Sequence, residues 1–383
     1  MTANKLSGLN NALNSRTKLF FPNLDALRFI AFFVVFLSHV LLIHSVNEQP
    51  FSYANFIRKH AHTGVLGVNF FFVLSGFLIT YLLLKEKNES GTFNILNFYG
   101  RRILRIWPVY FGIVIFSFVV LPLVFPLFNK TFFEPSPLVF YLTFTANFAF
   151  IIGYYPHSSL LAMLWSIAVE EQFYFFWPWL LKFFKRNILL LLILIIVSNV
   201  IARILFLDYP KALYFNTLSI ISDFGIGGLI AYFSLYKTEK LIRLFSVSKI
   251  YWLFFYFVII LGYCNYEKIF TGNFMTVIER PVLGIFFGLI IIDQCFNTQR
   301  IFNAGRFAFI NYLGKISYGL YCFHPLGIIF AKKILEQFNW FNSPFQSFVV
   351  FPILALSITI LIATISYFTV EKKILRQKHI FSS

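Results

Sequence analysis

Apolar runs of bilayer length recur along this 383-residue chain, separated by short polar breaks, and no other feature narrows its possible folds so far. A crossing helix needs about 20 mostly apolar residues to traverse about 30 Å of hydrocarbon. Only 12% of the residues are charged and 59% are apolar, against about 25% charged in a soluble globular protein. A soluble chain of two or three domains is excluded. Candidate spans lie at 24–46, 65–84, 106–128, 162–182, 187–206, 214–234, 250–264, 277–296, 316–331 and 348–368.

These runs lack period-2 alternation. Backbone polar groups in hydrocarbon must also be satisfied within the segment, so helices are predicted and barrel strands are not. The expected fold is an all-α integral membrane bundle of about ten transmembrane helices with both termini cytoplasmic. Leu138 to Gly153, between Pro137 and Pro156, is short for a crossing and is predicted to be a re-entrant or interfacial helix on the outer side. Residues 1–21 read as a cytoplasmic N-terminal tail with no cleavable leader, 22–372 as the membrane domain, and 373–383 as a cytoplasmic C-terminal tail.

The formal net charge of +17 does not make a nucleic-acid binder, because the basic residues are distributed between apolar runs and not gathered on one soluble face. About 22 of the 32 Lys and Arg fall on one side of the predicted topology, which marks that side as cytoplasmic. Cys264, Cys295 and Cys322 are scattered without CxxC spacing, so neither a disulfide framework nor a metal site is expected.

Ionisable side chains at membrane depth cost several kcal/mol, so each is a functional candidate in need of a partner. In the first run Asp25, Arg28 and His39 share one helix face, with His39 about 16 Å beyond Arg28. An imidazole there is suited to proton transfer. In the fourth run Glu170 and Glu171 sit at a similar depth but point about 100° apart, so one of them is expected to face His39 and orient its ring. Near the third run Arg101, Arg102 and Arg105 are spaced for one face, either as topology anchors or as bidentate phosphate binders. Tyr318, Tyr321 and His324 recur at intervals of three in the ninth run. There His324 is open to three roles: proton carrier, substrate hydrogen-bonder or packing residue. Asp223, beside a glycine cluster, is expected to make a structural hydrogen bond.

Six segments, in order, resemble the acyltransferase 3 family of multispanning membrane O-acyltransferases, which acylate surface glycans. They are LDALRFIA with His39, GVNFFFVLSGFLI, FYGRRILRIWP, LWSIAVEEQFYFFWP, LGKISYGLYCFHP and SYFTVEK, together covering positions 24 to 372. The resemblance implies transfer of an acyl group, usually acetyl, from acyl-CoA to a sugar hydroxyl, with no cofactor beyond that co-substrate. It implies catalytic roles for His39, Glu170 and Glu171. The matched Arg28, Arg101, Arg102 and Arg105 would contact substrate, and from their own placement in the runs Asp25, Tyr318 and His324 are expected to do so as well. The acceptor would be a cell-surface or lipid-linked carbohydrate, such as peptidoglycan, lipopolysaccharide or another polysaccharide, reached from a bacterial inner membrane. One departure concerns the sixth run, where the family pattern carries an Arg two residues before the Asp and this chain has Ile221. Some relatives also carry a C-terminal hydrolase-like domain that completes transfer. The competing function is a polytopic transporter or flippase, disfavoured by the lack of inverted halves.

Overall fold

A computed structural model describes residues 22–46, 64–297, 299–340 and 343–381, so the expected N-terminal tail 1–21 lies outside the described residues. Among those described there are helices and connecting turns and no strand. The principal helices are α1 (Pro22–Val46), α2 (Gly64–Ser90), α3 (Ile95–Ile115) and α4 (Ser159–Phe183). They continue with α5 (Ile188–Leu205), α6 (Ser222–Tyr236), α7 (Thr238–Phe245) and α8 (Lys249–Cys264). The last are α9 (Gly272–Phe296), α10 (Ser317–Gln337) and α11 (Phe351–Ser366).

Each of the ten apolar runs overlaps a helix, α7 being an additional short one. Among the described residues six helical stretches are long and apolar enough to cross a membrane unaided, and α7–α8, bent at their junction, make a seventh only where the two are counted as one span. The lipid-facing surface follows from the same physics. On α8 the large side chains Ile250, Leu253, Phe254, Phe257 and Ile260 all project outward, which only a hydrocarbon surrounding accommodates.

α2 lies at the centre of the bundle, with α1 on one flank and α6 packed most closely against it. Small residues set that distance. A Cβ placed on Gly76 of α2 would collide with the Phe224 backbone of α6, and one placed on Gly227 of α6 would collide with the Val73 and Phe77 backbone of α2. Without a hydrophobic drive between helices in lipid, such close van der Waals approach is what holds them together. α10 packs along α11, and the short helix Ala308–Lys315 lies against α1.

Three boundaries depart from the sequence reading. The third run becomes helical at Ile95, not 106, because Asn94 caps it by accepting the Asn97 N–H; the arginine segment is therefore inside α3, which continues through a π-helical turn toward Phe128. The sixth is helical only from Ser222, after a short helix and a 3-10 turn capped by Asn216. Asp223 therefore stands in the first turn of α6. Finally, 138–153 is not one helix but two, Leu138–Leu142 and Ala146–Ile151. Phe144 separates them at φ 53°, with its carbonyl taken by Gln172 of α4 at 2.7 Å. The tertiary bond replaces the helical one that the apolar pattern predicted.

Candidate active site

His39 is three-quarters of the way along α1, and α10 brings His324 against it. The two rings stack with centroids 5.0 Å apart, and His39 Nδ1 lies 3.0 Å from His324 Nε2. His324 is completely buried, and its Nδ1 lies 2.7 Å from the Tyr321 carbonyl one turn earlier. A carbonyl only accepts, so His324 carries its proton on Nδ1 and presents a lone pair at Nε2. His39 Nδ1 must then donate. The opposite arrangement would require a charged imidazole with no solvent access, which is costly. This network assigns the tautomers and leaves His39 Nε2 with a free lone pair.

The expected orientation of His39 by Glu170 or Glu171 is thus replaced. His39 bonds to His324, and the two carboxylates face elsewhere. Glu171 accepts the Trp107 indole N–H at 2.9 Å. Glu170 lines a cavity of about 100 Å³ together with Arg28, Arg102 and Arg105. The hundred-degree separation of adjacent helix positions does divide the two acids, but between α3 and the cavity.

That cavity is the second half of the site. Arg28 arrives from α1, where it is paired with Asp25 at 2.9 Å. Arg102 and Arg105 come from α3. The Tyr174 hydroxyl lies 2.5 Å from Ser75 Oγ, on the same cavity wall as Glu170. Arg102 Nε is buried without a hydrogen-bond partner. Buried donors are almost always satisfied, so an unpaired guanidinium N–H beside two further arginines gives the cavity a donor to spare. Arg101 is not in it. It is held outside by Glu86 at 3.0 Å and by the Phe381 carbonyl at 2.7 Å.

Tyr321 joins the two halves. Its ring lines the cavity, its hydroxyl meets Ser166 Oγ at 2.7 Å, and its carbonyl is the group that sets the His324 tautomer. Tyr318 lines the same wall and donates to the Ile106 carbonyl at 2.8 Å. Sequence reasoning gave no role to Ser75, Ser166, Tyr174 or Glu371. Glu371 is buried just past α11, bonded to Ser366 at 3.2 Å and within electrostatic reach of Arg105. A lone acid closing a long apolar run was the available signal. Asp223 is part of a different cluster: it pairs with Arg280 of α9 at 2.9 Å, and Arg280 also bonds Asn69 of α2.

The whole arrangement falls inside one sequence family. The model of the acyltransferase domain designated acyltransferase 3 matches residues 21–368. The chain belongs to the acyltransferase 3 family. Among curated relatives, a provisionally named O-acetyltransferase of Staphylococcus aureus (strain COL) is 26% identical over 96% of this chain and 59% of its own length. A provisionally named peptidoglycan O-acetyltransferase of Bacillus subtilis (strain 168) is 27% identical over 94% of this chain and 55% of its own. The peptidoglycan O-acetyltransferase of Listeria monocytogenes is 25% identical over 84% of this chain and 51% of its own. The chain therefore spans between half and three-fifths of these acyltransferase 3 relatives. No solved structure matches it.

Proposed function

We propose that this acyltransferase 3 chain transfers an acetyl group from acetyl-CoA to a hydroxyl of a cell-wall glycan, with peptidoglycan the first acceptor to test. The reading is carried by the His39–His324 pair, whose hydrogen bonds leave one unprotonated ring nitrogen inside a membrane bundle. It is supported by the names of the relatives, two of which refer to peptidoglycan. In this reading ten helices cross the bacterial inner membrane, and the basic loops and both termini are cytoplasmic.

Acetyl-CoA is made in the cytoplasm, and its phosphates bar it from hydrocarbon. Its charged part docks on Arg102, Arg105 and Arg28, and Glu170 limits the excess positive charge. The thioester is carried inward along Tyr318 and Tyr321. His39 Nε2 takes the proton of the sugar hydroxyl as the oxygen attacks the thioester carbonyl. The new C–O bond forms, the C–S bond breaks, and the imidazolium returns its proton to the departing CoA thiolate. His324 stabilises the imidazolium through its Nε2 lone pair, the service a carboxylate gives in a Ser-His-Asp triad.

Radiolabelled acetyl-CoA incubated with the purified chain in lipid and with peptidoglycan fragments tests this directly. Label in the glycan fraction is the expected result, and acetyl-CoA hydrolysis or solute passage without glycan label would overturn it. The division of the arginines yields a second expectation. Arg102→Ala with Arg105→Ala raises the donor KM and weakens competition by free CoA, whereas Arg101→Ala leaves both unchanged. A donor KM that responds to Arg101 and ignores the other two would place the anion subsite elsewhere.

A further inference from the structure

A second cavity, of about 510 Å³, lies away from the histidine pair between α6 and α9, on the side of the molecule where the basic loops gather. Its walls are apolar, with Leu229 and Phe233 from α6, Ile285 from α9 and Leu244 from α7, and Lys237 and Lys240 stand in its lining at the α6–α7 end. Two observations say what surrounds it. Phe233, Ile285 and Leu244 are 41%, 54% and 67% exposed, so the groove is open to whatever bathes the bundle, which on this face is hydrocarbon. In addition, α7 is bent by 83° from the lipid-facing α8. A helix at a right angle to a crossing helix lies along the membrane surface. α7 has the composition for that place, with Leu241 and Ile242 buried against the protein and Lys240 and Arg243 in the open.

An apolar trough at acyl-chain depth that ends in two exposed ammonium groups at headgroup depth has the charge and polarity of one ligand class. We propose that this groove binds an anionic diacyl phospholipid of the leaflet on the basic-loop side, with one acyl chain against Leu229, Phe233 and Ile285 and its phosphate between Lys237 and Lys240. The volume falls within the range of about 300–1,000 Å³ usual for small-molecule sites. Basic pockets between helices at this level are suited to lipid headgroups. The site stands apart from acyl transfer and does not depend on that reading.

The test uses the full chain in detergent, offered equal amounts of phosphatidylglycerol and phosphatidylcholine with the same acyl chains, with retained lipid counted by native mass spectrometry. The unaltered chain retains one phosphatidylglycerol in preference. K237Q with K240Q lowers that retention about 25-fold, about fivefold per lysine, as expected for a cation near an anionic headgroup. Ile285→Trp, which fills the groove and keeps both lysines, loses it too. K185Q with R186Q removes two exposed charges at the same end of the bundle, where Lys87 bonds the Lys185 carbonyl, and leaves retention unchanged. Equal retention of phosphatidylcholine by the unaltered chain, full retention by the Lys237/Lys240 variant, or an equal loss in the Lys185/Arg186 control would each overturn the proposal.

Discussion

His39→Ala abolishes measurable acyl transfer, a loss of about 10²–10⁴-fold in turnover from the missing base alone, while the protein still folds and still binds CoA. The separation follows from position. His39 is only partly buried and does not line the arginine cavity, so its removal leaves the Arg28, Arg102 and Arg105 subsite intact. CoA binding and elution as a monodisperse species are the controls that distinguish a lost base from a lost fold. A variant that acylates normally would remove His39 from the chemistry. His324→Ala has a milder expected outcome: a fall in kcat with little change in donor KM, because His39 keeps its nitrogen and loses the neighbour that fixes its tautomer. If His324→Ala instead raised donor KM alone, His324 would be a binding group and the tautomer argument would fail.

Sequence alone reaches the helices and the faces of helices, and little further. Hydropathy finds a helix under each of the ten runs, and among the described residues six stretches, or seven with α7–α8 counted as one, have the length and apolarity of a crossing. Periodicity puts Asp25, Arg28 and His39 on one stripe, and in the structure Asp25 does pair with Arg28. Periodicity does not state which neighbour meets that stripe. Glu170 and Glu171 shared a depth with His39, yet α10 and not α4 supplies the partner, since depth is one coordinate of three. The arginines show the same limit. Arg101 and Arg105 share a face by spacing, but the helix is turned so that Arg102 and Arg105 line the cavity and Glu86 claims Arg101. The break at Phe144 was unreadable for a related reason. It is made by Gln172, 28 residues away, and a local apolar pattern has no term for a distant donor.

Arg280→Met lowers stability by about 3–5 kcal/mol, the penalty for stranding a buried charge whose counter-ion has been removed. Asp223 is fully buried and Arg280 is 2% exposed, so no water replaces the lost guanidinium, and Asn69 loses its partner as well. Thermal unfolding in detergent, followed by loss of the monodisperse species, reads the change. Arg280→Met combined with Asp223→Leu regains most of it, because an apolar pair of similar size is close to neutral where an ion pair has been fully desolvated. This cycle also bears on Ile221, the position where the family resemblance led one to expect an arginine. The carboxylate of α6 still meets a guanidinium, but from α9, so α6 and α9 are held together by charge as well as by the packing of Gly284 and Gly288 on Ile226 and Ile230. If Arg280→Met were as stable as the unaltered chain, Asp223 would have to be neutral in the fold. Arg203, already bonded to Glu279 at 2.8 Å, would then carry the electrostatic work of this end of the bundle by itself.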